Sequence, residues 1–222
     1  MRESYHDELD QIGATLVELT QHVATAMVTA SDALLETDLS SAQTAIAGDH
    51  RVDDLRNGVE ERCFMLLARQ QPVAGDLRTI TTALATAADL ERMGDLAVHI
   101  AKVARMRYPS AAVPEEVRPS LEQMGLLAAR LAVKVGEVIE GRDVPLAREL
   151  EAEDDLMDAL HRELFSILLS DSWSHGVEPA IDVTLLGRYY ERFADHAVLV
   201  ARRVIYLVTG VWPEEIGASK VG

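Results

Sequence analysis

The sequence predicts an all-α fold of two tandem three-helix bundles, six long helices in total, and three observations carry this. Glycine and proline are scarce within long stretches of the chain and cluster between them. Aromatic residues, which favour strands, make up only 5% of the chain. An eleven-residue segment also recurs without a gap, ERMGDLAVHIA at 91–101 and ERFADHAVLVA at 191–201, identical at six positions.

Taken in order, the helices are expected over about 4–36, 39–69, 75–107, 115–140, 144–170 and 178–209. The breaks between them are Thr37-Asp38, Gln70-Gln71-Pro72, the segment Tyr108-Pro109 through Pro114, Gly141-Arg142-Asp143, and Asp171 through Gly176. Pro114 is read as a first-turn proline and Gly210 as the stop of the last helix. That helix shows the clearest apolar stripe, running through Leu185, Leu186, Tyr189, Phe193, Ala197, Val200, Val204 and Val208. Helices of about 30 residues span roughly 45 Å, so the elements should build a long bundle. Each copy of the repeated motif falls in the third helix of its half. This divides the chain into a first unit, 1–108, a linker, 109–114, a second unit, 115–210, and a C-terminal tail, 211–222.

The chain has 222 residues, 37 acidic against 21 basic, for a formal charge of −16 and a pI near 4.8. With 48% apolar residues it can bury a real core and is no acidic tail. An acidic surface argues against nucleic acid as a partner. The N-terminus, Met1-Arg2-Glu3-Ser4-Tyr5-His6-Asp7-Glu8, lacks the apolar core of a signal peptide, and no run of the chain approaches the length of a membrane span. One cysteine, Cys63, excludes an internal disulfide and reads as a reduced core thiol beside Phe64, Met65, Leu66 and Leu67. A cytoplasmic location is expected.

The residues that could carry chemistry are acidic. Each half has an i,i+4 pair on its second helix and another on its third: Asp49/Asp53 with Glu91/Asp95, and Asp154/Asp158 with Glu191/Asp195. With this composition about six such pairs arise by chance, so spacing alone says nothing. These four recur at matching positions of the two halves, and the third-helix pairs sit among apolar residues such as Leu90, Met93 and Phe193. A carboxylate at the edge of an apolar stripe faces a neighbouring helix and needs a partner, either an arginine or a metal ion. Arg92 and Arg192 adjoin the glutamates and point about 100° away from them, leaving Arg51, Arg56 and Arg188 as candidate partners. For an ion, carboxylates from two helices suit Mg²⁺, Mn²⁺ or Fe.

His99 and His196 have leucines at their counterpart positions and read as bundle-edge residues; the di-iron pattern needs Glu-x-x-His on two helices, and the only similar spacings are Glu3-x-x-His6 at the extreme terminus and Asp158-x-x-His161. There is no GxxxxGK[ST], GxSxG or HExxH motif, so catalytic residues are not expected. Arg202-Arg203 reads as a solvated helix end.

The paired motifs resemble those of the PhoU phosphate-signalling regulators, in their actinobacterial form. The likeness is carried by Pro72-Val73-Ala74-Gly75-Asp76-Leu77-Arg78, Asp89-Leu90-Glu91-Arg92-Met93-Gly94-Asp95 and Tyr190-Glu191-Arg192-Phe193-Ala194-Asp195-His196, and it covers roughly residues 1–210. The resemblance implies a non-enzymatic, cytoplasmic and often homodimeric protein. Such a protein restrains uptake through the ATPase subunit of a Pst-type phosphate transporter and keeps a phosphate-responsive sensor histidine kinase off. It would be peripheral to membrane complexes and not inserted. It also implies metal (Mg, Mn, Fe or Zn) on Asp49, Asp53, Glu91 and Asp95 and on Asp154, Asp158, Glu191 and Asp195. Tyr189 stands where the first repeat has Asp89, which leaves the second site one acidic candidate short. Two other readings stay open: a bundle whose acids serve assembly only, and a carboxylate-bridged metalloprotein without a signalling role.

Overall fold

The computed structural model describes residues 2–213; residues 214–222 of the expected tail lie outside it. Six helices follow one another: α1 Arg2–Leu35, α2 Leu39–Gln70, α3 Ala74–Arg107, α4 Arg118–Gly141, α5 Val144–Leu168 and α6 Val177–Thr209. No strand occurs among the described residues. Asp38 caps α2 by accepting from the Ser40 amide at 2.8 Å, and Asp143 caps α5 by accepting from Leu146 at 3.0 Å. Gly210, in the left-handed conformation at φ 76°, closes α6.

Two boundaries differ from expectation. α4 begins at Arg118 rather than at 115, because the Pro114 carbonyl accepts the amides of both Val117 and Arg118 in a separate turn. Pro119, not Pro114, is the first-turn proline. α5 ends at Leu168, where the Leu169 amide turns back to Phe165.

The helices α1, α2 and α3 pack on one another, as do α4, α5 and α6; the halves join where α1 lies on α4 and α3 on α6. Both joining contacts are antiparallel. On α1/α4, a methyl group built on Gly125 would lie 2.8 Å from Ser31 Oγ, so only glycine permits this approach. On α3/α6, Asp89 meets Arg203 near one end, and Arg107 meets Asp182 at 2.6 Å near the other. One continuous apolar core runs through both halves.

Cys63 lies fully buried in that core, and burial pushes its thiol up to about 11. Along α6, Leu186, Phe193, Ala197, Val200 and Val204 are buried as the stripe requires, whereas Leu185 and Val208 face outward. Tyr190, outside that stripe, is fully buried, and its hydroxyl meets Ser31 Oγ at 2.9 Å across the joint. Tyr190→Phe should therefore lower unfolding stability by about 1 kcal/mol, read by urea denaturation, without loss of helix content.

Two carboxylate seams as a candidate metal centre

The repeated acids flank a close contact between the second and third helix of the first half and take the matching positions in the second. Val52, between Asp49 and Asp53, is buried and packs on Gly94, between Glu91 and Asp95; a methyl group on Gly94 would lie 3.1 Å from Val52 Cγ1. In the second half Met157 and Ala194 take these positions and are both fully buried. The tight apolar contact fixes the helix faces, and the carboxylates flanking it are carried to the rim of the seam. Burial repeats with the sequence: Glu91, Asp95, Glu191 and Asp195 are half-buried, as are Asp49 and Asp154, while Asp53 and Asp158 are exposed.

Each set acts as one electrostatic unit. Burial first, then Asp53 and Asp95, raise the pKa of Asp49. Glu91 is raised by burial and then by Asp95, with Asp53 adding to it from the opposite helix. The effect is largest at Asp154, pushed up to about 6 by burial and then by Asp195, Asp158 and Glu191.

Arginines neutralise part of this charge, by a route the sequence reading discounted. Arg92 and Arg192 turn back to the aspartates three residues on, with Arg92 Nη1 3.0 Å from Asp95 and Arg192 Nη1 2.9 Å from Asp195. Arg188 bonds Glu191. Arg51 and Arg56 face elsewhere, to Glu18 at 2.6 Å and Glu60 at 2.5 Å. Asp49, Asp53, Asp154 and Asp158 have no ion-pair partner among the described residues. As the side chains stand, no three Asp, Glu, His or Cys among the described residues are gathered at ion-holding distance. The donor chemistry fits a hard, oxygen-seeking ion such as Mg²⁺ or Mn²⁺. It fits zinc poorly, because no thiolate or imidazole takes part.

Asp89 does not belong to the first seam. Two residues before Glu91, it lies about 200° round the helix and faces α6 instead. There His196 Nδ1 lies 3.1 Å from Oδ1, and Arg203 Nε donates to Oδ2 at 2.7 Å. Its counterpart Tyr189 packs on His99 across the same joint, ring centres 5.2 Å apart. The second seam is therefore not one acid short. Nor are Arg202 and Arg203 a solvated end: Arg202 pairs with Glu151 at 2.6 Å and Arg203 with Asp89. The angular offset of positions 89 and 189 from the repeated acids was the available signal in the sequence.

The sequence profile of the PhoU domain matches this chain twice, over residues 16–104 and 121–204. The chain belongs to the PhoU domain family. Among curated PhoU relatives, the phosphate-specific transport system accessory protein PhoU homolog 2 of Mycobacterium tuberculosis is 47% identical over 213 residues, spanning 96% of this chain and 100% of the relative. Homolog 1 of Mycobacterium leprae is 46% identical over 97% of both chains. Crystal structures of PhoU from Pseudomonas aeruginosa and of the phosphate transport system regulatory protein PhoU from Streptococcus pneumoniae superpose with TM-scores of 0.82 and 0.81. Their identities are 26% and 27%, covering 93% and 94% of this chain and 100% and 98% of theirs. Both PhoU repeats thus carry a seam, and α3 and α6 each present one face to it and another to the joint between halves. No helix among the described residues is long and apolar enough to cross a membrane.

The Asp154 shift fixes a pH dependence. A carboxyl that holds its proton more tightly when folded opposes folding once ionised, so stability falls as pH rises from about 4 through about 6 and then levels off. In chelator, the urea midpoint should be higher at pH 5 than at pH 7.5, and Asp154→Asn should flatten that difference by raising the midpoint at pH 7.5.

Proposed function

We propose that this PhoU-family chain is an accessory regulator of a phosphate-specific transport system and acts without chemistry of its own. It works in the cytoplasm as a homodimer, restrains a Pst-type transporter through its ATPase subunit, and holds a phosphate-responsive sensor histidine kinase off. What supports the reading is family membership across both halves, joined to one observation: two equivalent, half-buried carboxylate sets in the α2–α3 and α5–α6 seams.

A divalent cation in each seam follows from that charge. Asp49, Asp53, Glu91 and Asp95 would hold one ion, and Asp154, Asp158, Glu191 and Asp195 the other. The ion would supply positive charge without chemical turnover. Arg92, Arg188 and Arg192 now occupy part of the carboxylate capacity, so cation and arginines compete for the same oxygens. Exchange between them ties the second helix of each half to the third and alters the charge the face presents to a partner.

Two measurements test this together. Mn²⁺ at a hundred times its dissociation constant should add about 2.7 kcal/mol of stability, chelator should remove it, and Glu91→Ala with Asp95→Ala should halve the bound manganese. Co-sedimentation with membranes carrying the phosphate transporter should change between high and low phosphate. An unchanged melting curve with no bound metal removes the cation from the reading, and association with membranes that ignores the transporter removes the accessory role.

A further inference from the structure

The seam of the second half continues past its carboxylates into an apolar groove. Ala180 and Thr184 of α6 form its floor. Phe165 of α5 and Leu169, which caps it, stand on one side, and Val177, Ile181 and Leu185 of α6 on the other. The walls are open to solvent: Leu169 is 83% exposed, Val177 76% and Ile181 54%. Exposed apolar side chains collected on one face, rather than scattered singly, mark a binding surface.

The repeat shows how the groove arises. Ile80 and Leu84 stand in α3 where α6 has Ala180 and Thr184, and Ile80 is fully buried. The first repeat thus carries larger side chains at the two positions where the second has small ones.

The groove is aligned with the acids. Phe165 and Leu169 follow Asp154 and Asp158 by three helical turns, and Ala180 and Thr184 precede Glu191 and Asp195 by three. Residues eleven apart share a helix face about 16 Å further on. The α5–α6 face is thus a shallow channel, apolar at the tip and acidic further along, interrupted where Leu164 and His161 pack against Gly187.

We infer that this channel receives an amphipathic helix of a partner protein, with an apolar face at one end and Lys or Arg on the same face about three turns away. Charge decides among occupants. An anionic lipid surface repels a chain of net charge −16. A second copy carries the same net charge of −16, which opposes its approach to the acidic half. The inference goes beyond the cation reading and shares only its carboxylates, so the two ends of the channel are probed separately.

The probe is a fluorescent synthetic helix of about twenty residues, leucines on one face of its first turns and arginines on that face in its last, titrated by anisotropy in chelator. Saturable binding with a dissociation constant on the order of tens of micromolar is expected. Ala180→Ile with Thr184→Leu, which installs the first repeat's own residues, should weaken it about tenfold, as should Leu169→Glu should the filled variant fold poorly. Asp154→Asn with Asp158→Asn should weaken it and flatten its salt dependence; if only this arm fails, the groove stands and the basic end is overturned. No saturation by 1 mM, equal binding to the groove-altered variants, or equal affinity for a peptide with glutamates in place of arginines overturns the helix. So does sedimentation showing a dimer that the groove variants break, or co-sedimentation with phosphatidylglycerol vesicles that they abolish.

Discussion

Close helix approach at a small residue drives like charges together, and the rest of the molecule is arranged around that contact. Gly94 against Val52 brings α3 to α2, and Gly187 against Leu164 brings α6 to α5, while Ala194 and Met157 lie buried at the positions of Gly94 and Val52. The apolar contact is favourable and sets the register; the carboxylates three residues before and one after each contact position are its consequence. Their mutual repulsion and partial burial raise proton affinity at Asp49, Glu91 and above all Asp154, so the seams store unfavourable charge that a proton, an arginine or a metal ion can relieve.

Two halves built alike solve the other faces of these helices differently. Where α3 meets α6, one end carries the buried Asp89 with His196 and Arg203, and the related position carries Tyr189 on His99. Both fill the joint, one by charge and hydrogen bonds, the other by ring packing. The flanking turns differ as well: Ile80 and Leu84 stand where the second half has Ala180 and Thr184. Both halves thus carry the carboxylate sets on turns of unlike side-chain size.

The six helices and the repeated acids were legible in the sequence because both depend on local pattern: apolar periodicity, glycine and proline at breaks, and one ungapped motif. What depends on angle and on distant partners was not. Asp89 lies close to the repeated glutamate along the chain yet faces the opposite way, so proximity in sequence misled about its site. Arg92 and Arg192 reach the aspartates one turn on, a pairing that helix geometry allows, and Arg92 Nε also lies 3.8 Å from the adjacent Glu91. Tyr190 was passed over in favour of Tyr189 because a single-stripe reading of α6 ignores that a helix packed on both α3 and α4 needs two buried faces. Pro114 and Pro119 are equally good first-turn prolines on paper, and the backbone turn at 114–118 decided between them.

Anomalous diffraction from crystals soaked in Mn²⁺ tests the charged seams most directly. Two peaks should appear, one between α2 and α3 beside Asp49, Asp53, Glu91 and Asp95, the other between α5 and α6 beside Asp154, Asp158, Glu191 and Asp195, with Arg92 and Arg192 swung away from their aspartates. Peaks elsewhere on the surface, or neither seam occupied while the arginines keep their places, would contradict the view that these seams exist to take a cation.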